Sequence, residues 1–227
     1  MGNKKTALSP SDFVHLHNHS QYSLLDGLTK LPALVDYVKN TGMKAVALTD
    51  HGTMSGIIEF YKACRSGDIK PIIGMEAYIA PRSLADKDPT HDRQYFHLTL
   101  LAMNNVGYQN LMRLSSIANL EGFYYRPRID RAMLEKYSAG LIVLSGCIGG
   151  ELSDALRQQQ YEQAKQTAAW YKQVFGDRYY IELMDHGHDE HPSVWQEQTD
   201  VNQELLKISN ELEIEAVGEG SHPHFRR

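Results

Sequence analysis

The chain has 227 residues, 42% of them hydrophobic, enough to bury a core of ordinary size as one domain. Its 23 basic and 28 acidic residues give a formal net charge of -5, the wrong sign for a protein that holds DNA mainly through released counterions. No apolar run approaches the roughly 18 residues of a membrane span, and two cysteines with no leading apolar segment point to a reducing, cytoplasmic setting without a membrane partner.

In chain order, short apolar runs at 13–16, 45–48, 71–79, 96–102, 141–144, 179–183 and 214–217 predict seven strands. Between them, apolar residues at helical spacing predict helices over 31–41, 55–66, 108–119, 131–137, 152–175 and 195–212, with Gly42, Gly67 and Gly176 where helices stop. This alternation predicts an α/β fold with a parallel sheet, and the length suits closure into a barrel. The polar stretch 80–94 reads as an exposed, mobile loop, and 122–128 (GFYYRPR) as a second irregular segment. The expected organisation is an extension over 1–12, one domain over 13–220 and an atypical tail over 221–227.

The eleven histidines are the compositional oddity. His15, His17 and His19 stand at i, i+2 and i+4 at the end of the first predicted strand, so all three share a face if the strand persists. Imidazoles grouped without charge partners make a poor core, whereas neutral imidazole is a common ligand for zinc, manganese and iron. Asp26 follows in SLLDG, where it is an ordinary turn former unless it joins the same group. Asp50 and His51 follow the second strand in TDHG, and Glu76 lies inside the third, where a carboxylate is costly unless paired or metal-bound. His97 opens the fourth strand, and Cys147 follows the fifth as either a small buried hydrophobe or a thiolate ligand. Asp185, His186, His188 and His191 read equally as a site and as a solvated loop. At least four successive strands thus bring a His, Glu or Cys to the side where β/α barrels build active sites. The mixed donors suit zinc, manganese or iron, with magnesium a further option. Two or three such ions can generate a hydroxide nucleophile and clamp a phosphate in line with it, so the expected chemistry is phosphoester hydrolysis.

The ordered motifs FVHLHNHSQYSLLDG, AVALTDHG, IKPIIGMEAYIA, FHLTLLA and LIVLSGCIGGE resemble the PHP (polymerase and histidinol phosphatase) domain, most closely the version that begins bacterial DNA polymerase III alpha subunits. The resemblance runs from about Phe13 to at least Glu182. It implies a distorted seven-stranded (β/α)7 TIM-like barrel holding up to three divalent metals on nine ligands. Carried over position by position, the ligands are His17, His19, Asp26, His51, Glu76, His97 and Cys147, of which His17, His19, His51 and Glu76 form the catalytic centre. His15, which stands where many relatives outside the polymerases have Asp, joins Asp50 and His186 as supporting groups or further ligands. The last two ligands come from a pattern like TNDSHY, replaced here by VGEGSHPHFRR. That ending offers His222 and His224 or leaves Gly220 where the Asp belongs, and it reads as truncated or non-native.

The implied activity is that of a 3′-5′ exonuclease or pyrophosphatase. The implied partners are the remaining polymerase III alpha domains, other replisome subunits and, weakly for this chain alone, the 3′ end of a DNA primer. Arg126, Arg128 and Tyr124 read as nucleic-acid contacts, against the plain alternative of a loop packing its aromatics beneath snorkelling arginines. Nothing in the chain matches a polymerase active site, so polymerisation by it alone is not expected. Two other readings stand: a metal-stiffened docking module that has lost catalysis, and a freestanding histidinol-phosphate phosphatase, which SLLDG and LSGCIGGE fit less well.

Overall fold

A computed structural model describes residues 9–185 and 192–220; His186, His222 and His224 lie outside the described residues. The strands are β1 (Ala45–Leu48), β2 (Lys70–Ile79), β3 (Phe96–Ala102), β4 (Phe123–Tyr124), β5 (Arg126–Ile129), β6 (Leu141–Leu144), β7 (Tyr179–Asp185) and β8 (Ala216–Gly220). They form one curled, half-barrel sheet in the order β4-β5-β2-β3-β6-β7-β8, with β1 also paired to β2. The helices are α1 (Leu31–Thr41), α2 (Ile57–Gly67), α3 (Asn105–Leu120), α4 (Arg131–Lys136), α5 (Glu151–Arg157), α6 (Tyr161–Phe175) and α7 (Pro192–Leu212).

Strand side chains alternate between two faces, and the sequence exploits the alternation throughout. Met75, Ala77, Ile79, Leu98, Leu100, Leu141, Val143, Tyr179 and Ile181 face outward into one core with α3, α5, α6 and α7. Val46 and Leu48 do the same against α1 and α2. The intervening positions line the concave face. Ala47, Leu101 and Leu144 form an apolar plug there with Leu16, Ile72, Ile142, Tyr180 and Val217. Further along the same face come Glu76, His97, Thr99 and Glu182, so one strand period delivers both a dry floor and a polar mouth.

The structure departs from the expected barrel in particular places. β3 runs antiparallel to both β2 and β6, whereas the alternation of elements predicts a parallel sheet. Segment 13–16 lies extended beside β1 without forming a ladder. Ala47 and Thr49 donate to the carbonyls of His15 and Asn18 at 2.8 and 2.9 Å, but the return donors go to side chains. Leu16 N–H is taken by the Glu219 carboxylate at 2.7 Å and Asn18 N–H by the Thr49 hydroxyl at 2.9 Å. Among the described residues no strand ladder closes the sheet between β8 and β1. The predicted helix 152–175 is broken into α5 and α6 at 158–160, where Gln159 adopts φ 61°. Segment 122–128 contains the β4–β5 hairpin.

Loop 80–94 is folded back and pinned. The Arg128 guanidinium, wholly buried, donates to the carbonyls of Asp92 at 2.8 Å, Asp86 at 3.0 Å and Gly122 at 3.3 Å. Arg82 adds a two-pronged pair to Asp92 at 2.8 and 2.5 Å. No helix among the described residues is long and apolar enough to cross a membrane.

Candidate metal centre

Glu76 sits on the concave face with its side chain 1% exposed. The corner after β1 grips its backbone: Glu76 N–H reaches the carbonyls of Thr49 and Asp50 at 3.2 Å each, and Gly52 N–H donates to Glu76 O at 2.8 Å. Gly52 has φ 61°, and a Cβ there would meet Pro127 Cγ at 2.7 Å and the Tyr78 ring at 3.1 Å. Glycine is therefore what lets the His51 corner turn this close to the sheet.

Four imidazoles face the Glu76 carboxylate. His17 Nε2 and His97 Nδ1 each lie 3.1 Å from Oε1, while His19 Nε2 lies 3.3 Å and His51 Nδ1 2.5 Å from Oε2. Cys147 Sγ is 3.6 Å from Oε1 and 3.4 Å from His97 Nδ1. Asp26 Oδ2 approaches the other nitrogen of His51 at 2.6 Å. His97 arrives here because β3 is reversed: its opening residues, not its last, lie among the neighbours' carboxyl ends. His97 N–H donates to Gly149 O at 2.9 Å, tying it to the turn that carries Cys147.

The remaining polar residues hold this group in place. His17 Nδ1 pairs with Glu182 Oε1 at 2.8 Å, and Glu182 Oε2 accepts from Gly146 N–H at 3.1 Å and Thr99 Oγ1 at 3.2 Å. A proton on Nδ1 leaves the Nε2 lone pair of His17 for a cation, the usual arrangement behind a metal-bound imidazole. Glu182 was not singled out from the sequence, although the argument that exposed Glu76, a carboxylate inside an apolar strand, applies to IELMD as well. Asp50 faces away from the cluster. Its oxygens accept from Ser20 N–H at 2.6 Å, Ser20 Oγ at 2.8 Å and Ser23 Oγ at 2.7 Å, fastening the turn that carries Asp26. His15 pairs through Nδ1 with Glu219 Oε1 at 2.6 Å, which links the first segment to β8.

Burial opposes a charged His17, but the carboxylates of Glu182 and Glu76 outweigh it and raise its pKa well above the ordinary value. Glu76, despite its burial, is held well below the usual carboxylate range by His17, His51 and His97. His51 is raised as well, with Glu76 and Asp26 overcoming burial. His19 moves the other way, burial bringing it down to about 4, so it stays neutral. Burial, reinforced by the Glu76 charge, pushes the Cys147 thiol up to about 12.

These donors fit divalent cations. His51 Nδ1 and Glu76 Oε2 are both buried without a hydrogen-bond partner although 2.5 Å apart, a contact that fails as a hydrogen bond and suits two ligands of one ion. Three overlapping trios, His17 with His19 and Glu76, His19 with Asp26 and His51, and His51 with Glu76 and His97, each gather ligand atoms within 4.8 Å of one another. Imidazole and carboxylate together suit borderline ions such as zinc, manganese or iron. The His17 side chain is 3% exposed, but His19 is 23%, His97 21% and Asp26 60% exposed. The cluster is closed beneath and open above.

The three residues read as nucleic-acid contacts part company. Arg128, wholly buried, commits its donors to backbone carbonyls and has none to offer a phosphate, and its guanidinium, 5.0 Å over the Tyr124 ring, takes one face of that half-buried ring. Arg126 alone is exposed, beside the cluster.

The PHP domain family matches residues 15–186 of this chain. A DNA polymerase III subunit alpha of Borreliella burgdorferi is 47% identical over 205 residues, covering 90% of this chain and 17% of that protein. Those of Treponema pallidum and Thermus aquaticus are 50% and 43% identical, covering 80% and 95% of this chain. The chain thus spans about a sixth of these relatives, 16–17% of their length. Among solved structures, an amidohydrolase from Chromobacterium violaceum with bound sulfate and no metal aligns with TM-score 0.54 at 13% identity, covering 92% of this chain and 86% of that one. A two-domain protein from Bacteroides vulgatus containing a predicted PHP-like metal-dependent phosphoesterase aligns with TM-score 0.50 at 15% identity, covering 91% and 50%. At such identities these two likenesses speak to fold alone.

Proposed function

The chain belongs to the PHP domain family, and on that premise we propose that its histidine-carboxylate centre is a divalent-metal phosphoesterase site of 3′-5′ exonuclease or pyrophosphatase type, carried by the alpha subunit of a replicative DNA polymerase. The observation that carries this reading is the buried Glu76 carboxylate ringed by four imidazoles, with His51 Nδ1 and Glu76 Oε2 facing each other unsatisfied. His17, His19, Asp26, His51, Glu76, His97 and Cys147 would hold up to three ions, of zinc, manganese or iron. Bound there, the ions supply Lewis acidity to a phosphate ester and ionise water near neutral pH.

The chain's own residues set the stage. Glu182 fixes the His17 ring and keeps Nε2 aimed at Glu76. Asp50, through Ser20 and Ser23, holds the turn from which Asp26 reaches His51. Cys147 joins as a thiolate only by giving up a proton that burial otherwise makes it keep. The apolar plug beneath keeps water from entering from below, so substrate and water arrive from the side of His19, His97 and Asp26. That open side favours catalysis over a purely structural metal, whose site is normally closed all round.

Protein purified without chelator is expected to contain two or three ions by elemental analysis. Loaded with manganese or zinc, it should hydrolyse bis(p-nitrophenyl) phosphate and a 3′-labelled oligonucleotide. His17→Ala should lower both rates by more than about 100-fold, beyond the loss of an outer partner. Equal rates in the variant, or a well-folded protein with no metal, would reject the proposal.

A further inference from the structure

Beside the centre stands a second group of side chains that the metal chemistry leaves unused. The Tyr78 ring stacks on His51 at 5.6 Å and 10°, and the Tyr95 ring on His97 at 5.9 Å and 5°. The two tyrosines meet edge to face at 4.9 Å and wall one side of the mouth. Above them the exposed Arg126 guanidinium lies 5.9 Å over the Tyr78 ring and leans on the Tyr95 phenol. Its neighbour Tyr125, at the tip of the β4–β5 hairpin, is 55% exposed and adopts φ 59°, a conformation unfavourable for any side chain with a Cβ. Arg93 approaches that ring at 5.3 Å. Apart from Arg93 and an edge-to-face contact with Tyr124 at 4.7 Å, this strained turn holds the ring out into solvent, and such strain gathers at ligand-binding sites.

We propose that this rim binds one nucleotide of a single-stranded nucleic-acid end, Arg126 taking the phosphate presented to the metal centre and Tyr125, with Arg93, stacking the base. A guanidinium matches a phosphate with two parallel donors, and an aromatic face accepts any base. The chain is acidic overall, yet here Arg93 and Arg126 stand with the exposed Tyr125 ring and the half-buried Tyr95 ring, next to a cluster whose His19, His97 and Asp26 reach solvent. Arg126 and Tyr125 are consecutive at a hairpin tip, a span suited to one nucleotide rather than to a duplex. What then happens to the nucleotide rests on the phosphoesterase reading; the binding itself does not.

The test is fluorescence anisotropy of a short single-stranded oligonucleotide titrated with the 227-residue chain in excess chelator, where nothing is cleaved. Wild type is expected to bind weakly, near about 0.1 mM, and less at higher salt. Arg126→Ala and Tyr125→Gly should each weaken binding about tenfold, as expected for loss of one phosphate contact or one stacked base. Tyr125→Phe, which keeps the ring, should restore the binding that Tyr125→Gly loses. Tyr125→Gly relieves the backbone, so its melting temperature should be equal or higher, which separates lost stacking from lost folding. With metal present, Arg126→Ala should raise KM for the oligonucleotide and leave kcat largely intact. Undetectable wild-type binding up to about 1 mM, ten times the expected constant, overturns the proposal, as does Arg126→Ala or Tyr125→Gly binding within twofold of wild type. The expected pattern of binding without any hydrolysis upholds the rim and removes the phosphoesterase reading instead.

Discussion

Replacing Glu182 by Gln removes the charge behind His17 and keeps the acceptor of its Nδ1–H, while Gly146 N–H loses the oxygen it donates to. The amide oxygen can still accept from His17 Nδ1–H, which is 2.8 Å from Glu182 Oε1, so the ring should keep its aim. What is lost is a buried negative charge that raises the basicity of the ligand and offsets the cation's own charge. Removing such partners outright weakens metal affinity about 10–100-fold; because the hydrogen bond survives, the low end applies, about tenfold or ~1.4 kcal/mol. A counter-effect has a known sign. Glu182 is also what raises the His17 pKa, so wild type surrenders a proton to bind the ion more reluctantly than the variant does. The deficit should therefore be largest near pH 8.5 and shrink toward pH 6. Competition against a chromophoric chelator for zinc or manganese at both pH values measures it. Equal affinities at pH 8.5, or a deficit that grows on acidification, would refute the reasoning. Glu182→Ala should do worse than Glu182→Gln, because it also removes the acceptor of His17 Nδ1–H, while both variants strand Gly146 N–H, which in wild type donates to Glu182 Oε2.

Further expectations follow from the same geometry. Arg128→Met leaves three carbonyls without their donor; individual losses of about 1.5–3 kcal/mol do not add fully, and a net cost of about 3 kcal/mol should lower the melting temperature by roughly 6–12 °C while protease cleavage concentrates in 80–94. A change below about 2 °C in calorimetry would mean the clamp is idle. Metal loading should release protons, because His17 and His51 are raised by their carboxylates and Cys147 is pushed up to about 12. Apparent affinity should fall as the pH drops, and calorimetric heats should depend on the ionisation enthalpy of the buffer; independence from the buffer would contradict this. Gly52→Ala forces a Cβ at positive φ against Pro127 and Tyr78, so it should cost more than about 2 kcal/mol in chemical denaturation and reduce bound metal.

Much of this molecule was legible from side-chain type and period. The runs at 45–48, 96–102 and 141–144 became β1, β3 and β6 with the same bounds, because β1 and β6 are apolar on both faces and β3 alternates, with polar or turn-forming residues close to each end. The structure also brings His17, His19, Asp26, His51, Glu76, His97 and Cys147 together. Strand direction was not legible, since FHLTLLA carries the same alternation read either way. Nor were distant pairings: nothing near 80–94 announces that Arg128 will fasten it, and nothing in His15 names Glu219 as its partner. Glu182 was within reach, for a carboxylate flanked by Ile181 and Leu183 asks for the same explanation as Glu76.

The reversal of β3 shapes more than the position of His97. Between parallel neighbours a connection must travel back across the outside of the sheet, whereas β2 and β3 are joined at the mouth itself by 80–95, which begins one residue beyond Ile79 and ends at Tyr95 beside His97. That excursion borders the metal-ligand cluster without supplying a residue to any trio. Anchored by Arg82, Asp92 and Arg128, it can differ in length and composition at its tip without disturbing the strands that carry the ion-binding groups.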